Sequence, residues 1–138
     1  MSNYSLKYQP DKIKITDHLT RGEIECHCGC GFGLGDNDFK IIVAQAFEEI
    51  RELVGLPIVA SSGCRCIKHN RDIGSEDTSR HIRGLAVDLR CPKDYDYNKF
   101  YQICLSVIGD GGGVGKYEFA NSPFVHIDLR GWKERWNG

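Results

Sequence analysis

No apolar run in this 138-residue chain approaches the length of a membrane-spanning helix, which takes about 20 residues. The opening Met1-Ser-Asn-Tyr-Ser-Leu-Lys-Tyr-Gln-Pro10 also lacks the apolar stretch of a secretory leader. Membrane insertion is not expected, and the chain is expected to be made and kept in the cytoplasm unless something else releases it. Charge of one sign is missing too. The 18 Lys and Arg stand against 19 Asp and Glu for a net charge of −1, which removes the basic field that nucleic acid or an anionic bilayer would need. There is no internal repeat. The Gly111-Gly-Gly-Val-Gly115 run is followed by neither Gly-Lys-Ser/Thr nor a helical pattern, so it reads as a turn or bulge rather than a phosphate cradle. Cysteine is plentiful, with seven residues, but the C-x2-C knuckle of common zinc sites is absent.

What remains is a 15.6 kDa chain, expected to be a monomer and one domain (residues 1–138) with a motif-bearing core at about 37–136. Residues 1–20 are polar and mixed and read as an extended lead-in with little function. Thr20-Arg-Gly-Glu23 has capping-box spacing, yet Ile24-Glu-Cys-His-Cys-Gly-Cys-Gly31 is too rich in Gly and alternating Cys to continue a helix and reads as strand or loop. Gly35-Asp-Asn-Asp38 offers N-cap chemistry for a helix over about 37–54, its apolar face Phe39, Ile42, Val43, Ala46, Phe47, Ile50, Leu53 and Val54, stopped by Gly55 and Pro57. A short strand at 57–61, a short helix at 67–73, a strand at 85–90 and a second amphipathic helix opening at Asp96 and closed by Gly109 follow. Cys104 falls on the buried face of that helix. The order favours an α+β fold, with helices packed on a mostly antiparallel sheet that ends in a hairpin.

Two segments carry chemistry. Ser79-Arg-His-Ile-Arg-Gly-Leu-Ala-Val-Asp-Leu89 reads as a turn entering a buried strand and can aim His81 and Asp88 at one point. Phe124-Val-His-Ile-Asp-Leu129 alternates, so His126 and Asp128 share one strand face while Val125, Ile127 and Leu129 share the other. Taken singly, a His or Asp on a strand is usually a satisfied polar residue, and a His81 to Asp88 ion pair without metal is the plainer reading of that pair. Together, two imidazoles and one carboxylate with a free position are the donor set of a catalytic zinc site. Burial of Asp88 in the apolar Leu85 to Leu89 run is costly without a partner, and a cation is one such partner.

The S-x-H-x2-G-x-A-x-D run, with Ser62-Gly-Cys-Arg-Cys66 and His69-Asn70 before it and Phe-Val-His-Ile-Asp after it, resembles the zinc D-alanyl-D-alanine carboxypeptidase and murein endopeptidase family. The family shares its fold with the hedgehog signalling domain, and the resemblance runs from about Phe39 to Trp136. It implies Zn2+ held by His81, Asp88 and His126 and hydrolysis of peptidoglycan peptides next to D-amino acids. Arg65 would stand where the family carries an arginine that orients substrate. A cell-wall enzyme without a leader implies a phage-lysin origin, in which a separate pore releases the protein. The rival reading is a hedgehog-like module that keeps zinc without catalysis, for instance in a phage particle.

Ser79, two residues before His81, can hydrogen-bond a substrate peptide or cap its own turn. Several relatives place a carboxylate or His just before the final His, where this chain has Pro123 and Phe124. Asp128 is therefore the first candidate for the catalytic base, with Glu118 second; Asp128 orienting a metal ligand is the alternative. The Cys26, Cys28, Cys30, Cys64 and Cys66 group is open to three readings: a second, structural zinc site, a disulfide to the Cys-Arg-Cys element, or free thiols. Cys91 has no assigned role.

Overall fold

The computed structural model describes residues 13–138. The lead-in expected over residues 1–20 falls outside them as far as residue 12, and the remainder departs from the expectation. Lys14–Thr16 (β1) and Leu19–Thr20 (β2) pair antiparallel, and Leu19 is fully buried. The hairpin is tied down by Glu48, whose Oε2 accepts from Thr16 Oγ1 at 2.6 Å and from the His18 backbone N–H at 2.8 Å. The capping box forms one helical turn, Arg21–Ile24 (α1), with the Thr20 N–H donating to Glu23 Oε1 at 3.1 Å. The Gly and Cys run behind it is turns and loop, as expected.

The long helix, Ile41–Val54 (α2), starts later than the sequence pattern suggests. The reason is local. Asp38 does not cap the helix, because its Oδ2 accepts the backbone N–H groups of Gly33 and Gly35 at 2.9 and 3.0 Å and so closes the loop behind it. Its C-terminus is the expected one, with Gly55 in the left-handed region at φ 76°. Ala60–Ser62 (β3) replaces the strand expected at 57–61. Ile67–Asp72 (α3), a 3₁₀ turn at Arg80–Arg83, Ala86–Arg90 (β4) and Tyr97–Ile108 (α4) follow, then Gly113–Tyr117 (β5), Phe124–Asp128 (β6) and Glu134–Asn137 (β7).

The fold is α+β. Strands β3, β4, β6, β5 and β7 form a five-stranded sheet in that order, antiparallel throughout except for the β5–β7 pair, which is parallel. Its two faces divide the work. Val87, Leu89, Val114, Val125 and Ile127 bury one face in the cluster formed by Val43, Phe47 and Ile50 of α2 and Phe100, Cys104 and Ile108 of α4. Truncating a ring such as Phe47, which is fully buried, would cost about 3–5 kcal/mol. The alternate residues Asp88, His126 and Asp128 are thereby turned toward the opposite face. Among the described residues no helix is long and apolar enough to cross a membrane.

Candidate metal centre and its pocket

The register of the sheet assembles the site. Asp88 on β4 and His126 on β6 are direct cross-strand partners, and Asp128 stands opposite Ala86 on the same pair of strands. His81 arrives from the 3₁₀ turn that precedes β4, whose first residue is capped by Ser79: the Ser79 Oγ accepts the His81 N–H at 3.3 Å. One donor atom each from His81, Asp88 and His126 lies within 4.8 Å of the other two. Asp88 Oδ1 is 3.2 Å from His81 Nε2 and 3.0 Å from His126 Nδ1.

The outer ring nitrogens settle which inner atoms carry lone pairs. His81 Nδ1 is 2.6 Å from the Gly63 carbonyl, which can only accept, so that nitrogen holds the proton and Nε2 faces inward bare. His126 Nε2 is 2.8 Å from Asp128 Oδ2, so its proton points outward and Nδ1 faces inward. Two imidazole lone pairs and a carboxylate thus converge with no proton among them, an arrangement that repels itself unless a cation or an extra proton sits between. The residues present fit a zinc ion, whose usual ligands they are and whose His ligands customarily donate their second N–H to an oxygen. Burial keeps the His81 pKa below its ordinary value. Burial also opposes charge on His126, but the Asp128 and Asp88 carboxylates beside its two nitrogens favour the doubly protonated ring and raise that pKa; the added proton would occupy the same inward position that a cation takes. Asp88 is held well below the usual carboxylate range, because His81 and His126 overcome the cost of burying it.

Asp128 is a surprise. Its side chain is 0% exposed and does not line the pocket. Its two oxygens take Arg130 Nε at 2.9 Å and Nη2 at 2.7 Å, the Gly113 N–H at 2.9 Å and the His126 ring. These partners hold its carboxyl well below the usual range despite burial. The glycine run belongs to this arrangement, since a Cβ on Gly113 would stand 2.6 Å from Asp128 Oδ2. Glu118, the second base candidate, pairs with Lys116 at 3.7 Å and does not line the pocket either.

The pocket itself has a volume of about 710 Å³ and is lined by His81, Asp88 and His126 together with Arg65, Ser79, Glu76, Arg80, Tyr117, Arg130 and Trp136. Arg65 is 9% exposed. Its Nη1 donates to Asn70 Oδ1 at 3.2 Å and its Nη2 is 3.9 Å from Asp88 Oδ2. Its Nε is buried with no hydrogen-bond partner among the described residues, which is uncommon for a buried donor. Trp136 roofs His126 with ring centroids 5.1 Å apart and donates its Nε1 proton to the Tyr117 hydroxyl at 2.9 Å.

Arg130, Tyr117, Trp136 and Glu76 were not singled out from the sequence. Arg130 had a signal, because it continues the every-second-residue row of His126 and Asp128. Tyr117 and Trp136 depend on strand pairings that periodicity does not show. Of the five grouped cysteines, Cys26, Cys28, Cys30 and Cys66 come together, their sulfurs all within 4.8 Å of one another. Cys64 is apart: buried in the core, it donates to the Asp38 carbonyl at 3.7 Å, and burial pushes its pKa up to about 12.

Comparison with curated proteins finds no match for this chain. Comparison with protein families matches residues 17–128, a span that holds every element from β2 to β6 and all three donors of the site, to the family described as Peptidase M15. The chain therefore belongs to the M15 family of peptidases.

Proposed function

We propose that this protein is a zinc-dependent peptidase that hydrolyses peptidoglycan stem or cross-bridge peptides at bonds next to D-amino acids. The observation that carries the reading is the convergence of His81, Asp88 and His126, each offering a metal-ligating atom, on the wall of an open pocket, in a chain of the M15 family. Three protein donors leave a position free, as hydrolytic zinc sites do and structural ones do not. When bound, zinc supplies Lewis-acid polarisation of a carbonyl and makes water a competent nucleophile near neutral pH.

The chain's own residues supply the rest. Arg65, with an unpartnered Nε and a planar fork, receives a substrate carboxylate or the oxygen that gains charge at the scissile carbonyl. Ser79 lines the same wall, and its hydroxyl both caps the turn under His81 and can donate to a substrate carbonyl. Asp128 is assigned to orienting His126 rather than to proton transfer, since both its oxygens are occupied away from the pocket. Proton transfer then falls to Glu76, the only carboxylate besides Asp88 that lines the pocket among the described residues. It would take the proton of the attacking water and return it to the leaving amine.

The second reading, a zinc-holding module without catalysis, is favoured by one observation. Pro123 and Phe124 stand three and two residues before His126, where several relatives carry a carboxylate or His, and Glu76 lies on a loop rather than a strand. Incubation of the purified protein with cell walls separates the two, because a peptidase lowers turbidity and a binding module only co-sediments. Mass spectrometry of the released fragments then tells a carboxypeptidase, which removes one terminal residue, from an endopeptidase, which opens a cross-link. Release to the wall in the manner of a phage lysin is the route this reading implies.

A further inference from the structure

Four cysteines remain that the hydrolytic site does not use. We propose that Cys26, Cys28, Cys30 and Cys66 hold a second zinc ion in a closed, four-thiolate site, and that this site positions Arg65. The site itself is independent of the proposed hydrolysis, while the positioning of Arg65 is read through that activity and rests on it.

The sulfur positions carry the argument. Zinc with four sulfurs at about 2.3 Å spaces them about 3.8 Å apart. Here Cys26 Sγ is 3.4 Å from Cys28 Sγ, Cys28 Sγ is 3.6 Å from Cys66 Sγ, and every sulfur lies within 4.8 Å of the others. The backbone is arranged to serve sulfur as an acceptor. The Cys66 N–H donates to Cys26 Sγ at 3.4 Å, and the His69 N–H donates to Cys66 Sγ at 3.3 Å, so main-chain donors hold two of the sulfurs in place. Gly29 and Gly31 take φ of 80° and 93° with no atom within 4 Å of where a Cβ would stand. They are there for the path of the chain, which turns back at each glycine and keeps three sulfurs on one side. Cys28 and Cys30 are exposed, so an ion can enter. Thiolates are soft ligands, and four of them select zinc over the hard cations.

The consequence for the pocket follows from the chain path. Cys66 caps α3 and directly follows Arg65, while the Cys64 N–H is bonded to the Ile24 carbonyl at 2.7 Å and the Arg65 N–H to the His81 carbonyl at 3.1 Å. Tying Cys66 to the 26–30 loop therefore fixes both sides of Arg65 against elements that are remote in sequence.

Elemental analysis of the full chain tests this. Wild-type protein is expected to hold two zinc equivalents, Cys28→Ser/Cys30→Ser one, and His81→Ala/His126→Ala one. Titration of wild-type protein with an organomercurial is expected to release one zinc as four thiols are consumed, which needs no variant to fold. Cobalt loading adds a signature: thiolate-to-cobalt charge-transfer absorption present in the His variant and lost in the Cys variant. For positioning, the Cys variant should raise KM about 10-fold, and Arg65→Lys should then cost less than it costs in the wild-type background, whereas fully additive losses would overturn that half of the proposal. Seven free thiols with a single zinc, a disulfide within the group, or iron in place of zinc would each overturn the site. A zinc-free pocket with a filled thiolate site would instead count against the peptidase reading alone.

Discussion

Two groups of metal-capable side chains stand in this fold, and they are built in opposite ways. His81, Asp88 and His126 come from a sheet and the turn that feeds it, are buried, and face a pocket with three donors. Cys26, Cys28, Cys30 and Cys66 come from a loop and a helix cap, are partly exposed, and offer four donors. Strand register holds the first group whether or not an ion is present, so its free position can be used for chemistry. The second group sits on a loop and a helix cap with no such ladder beneath it. Were it to hold the proposed ion, its four donors would leave no position to spare, and the metal would tie loop to helix rather than act on a substrate.

The most severe way to break this contrast is to remove a donor from the sheet. His81→Ala or His126→Ala is expected to abolish peptidase activity and one zinc equivalent while circular dichroism stays near wild type, because the apolar face of the sheet is untouched; zinc retained by both variants would refute the assignment. Next in size is Glu76→Gln, expected to lower turnover by about 10²-fold to 10⁴-fold with zinc content unchanged. Steady-state kinetics on a defined muropeptide reads this, and wild-type turnover would exclude Glu76 and return the search for a base to Asp128. Arg65→Lys follows, with an expected loss of about 10²-fold, since a point charge replaces a fork whose Nε and Nη groups are aimed separately.

Asp128→Asn sharpens the comparison with the smallest effect. If the carboxylate orients His126, zinc affinity should fall about 10-fold to 100-fold and added zinc should restore turnover. A turnover defect that excess zinc leaves untouched would instead make Asp128 a proton carrier. The same residue predicts an acid limb in the metal-free protein. Its folded-state pKa is depressed below the unfolded value of about 3.9, so its stabilisation is complete above that pH and is lost as pH falls further through the folded pKa. Urea unfolding midpoints of chelated protein at pH 7 and pH 3 should therefore differ less in Asp128→Asn than in wild type.

Much of the site could be read from the chain because it obeys period two. Val125 and Ile127 enter the core while His126 and Asp128 leave it, and that alternation is visible in six letters. The ends of α2 were less legible for a physical reason. Asp38 can cap a helix or close a loop with the same oxygen, and only the loop's Gly33 and Gly35 donors decide between them. The role of Asp128 is ambiguous in the sequence in a similar way. Sharing a strand face with His126 is equally consistent with reaching the pocket and with reaching the far ring nitrogen, and it is Arg130 and the Gly113 N–H that draw the carboxylate inward. Asn70 stands in the run that carries the family resemblance, but no periodicity shows that it is fully buried and accepts from Arg65. Strand β7 was illegible because its exposed and half-buried residues show no alternation and its parallel partner is distant in the chain.

That last strand hangs the pocket's wall on the rim of the sheet. Trp136 of β7 stands 5.1 Å from the His126 ring and donates to the Tyr117 hydroxyl of β5, and β7 is an edge strand paired through β5 alone. The donors His126 and Asp88 sit two and three strands further in, on the β4–β6 ladder. Fraying of the rim would therefore uncover His126 and leave the donors in register, so enclosure and ligation can be lost separately.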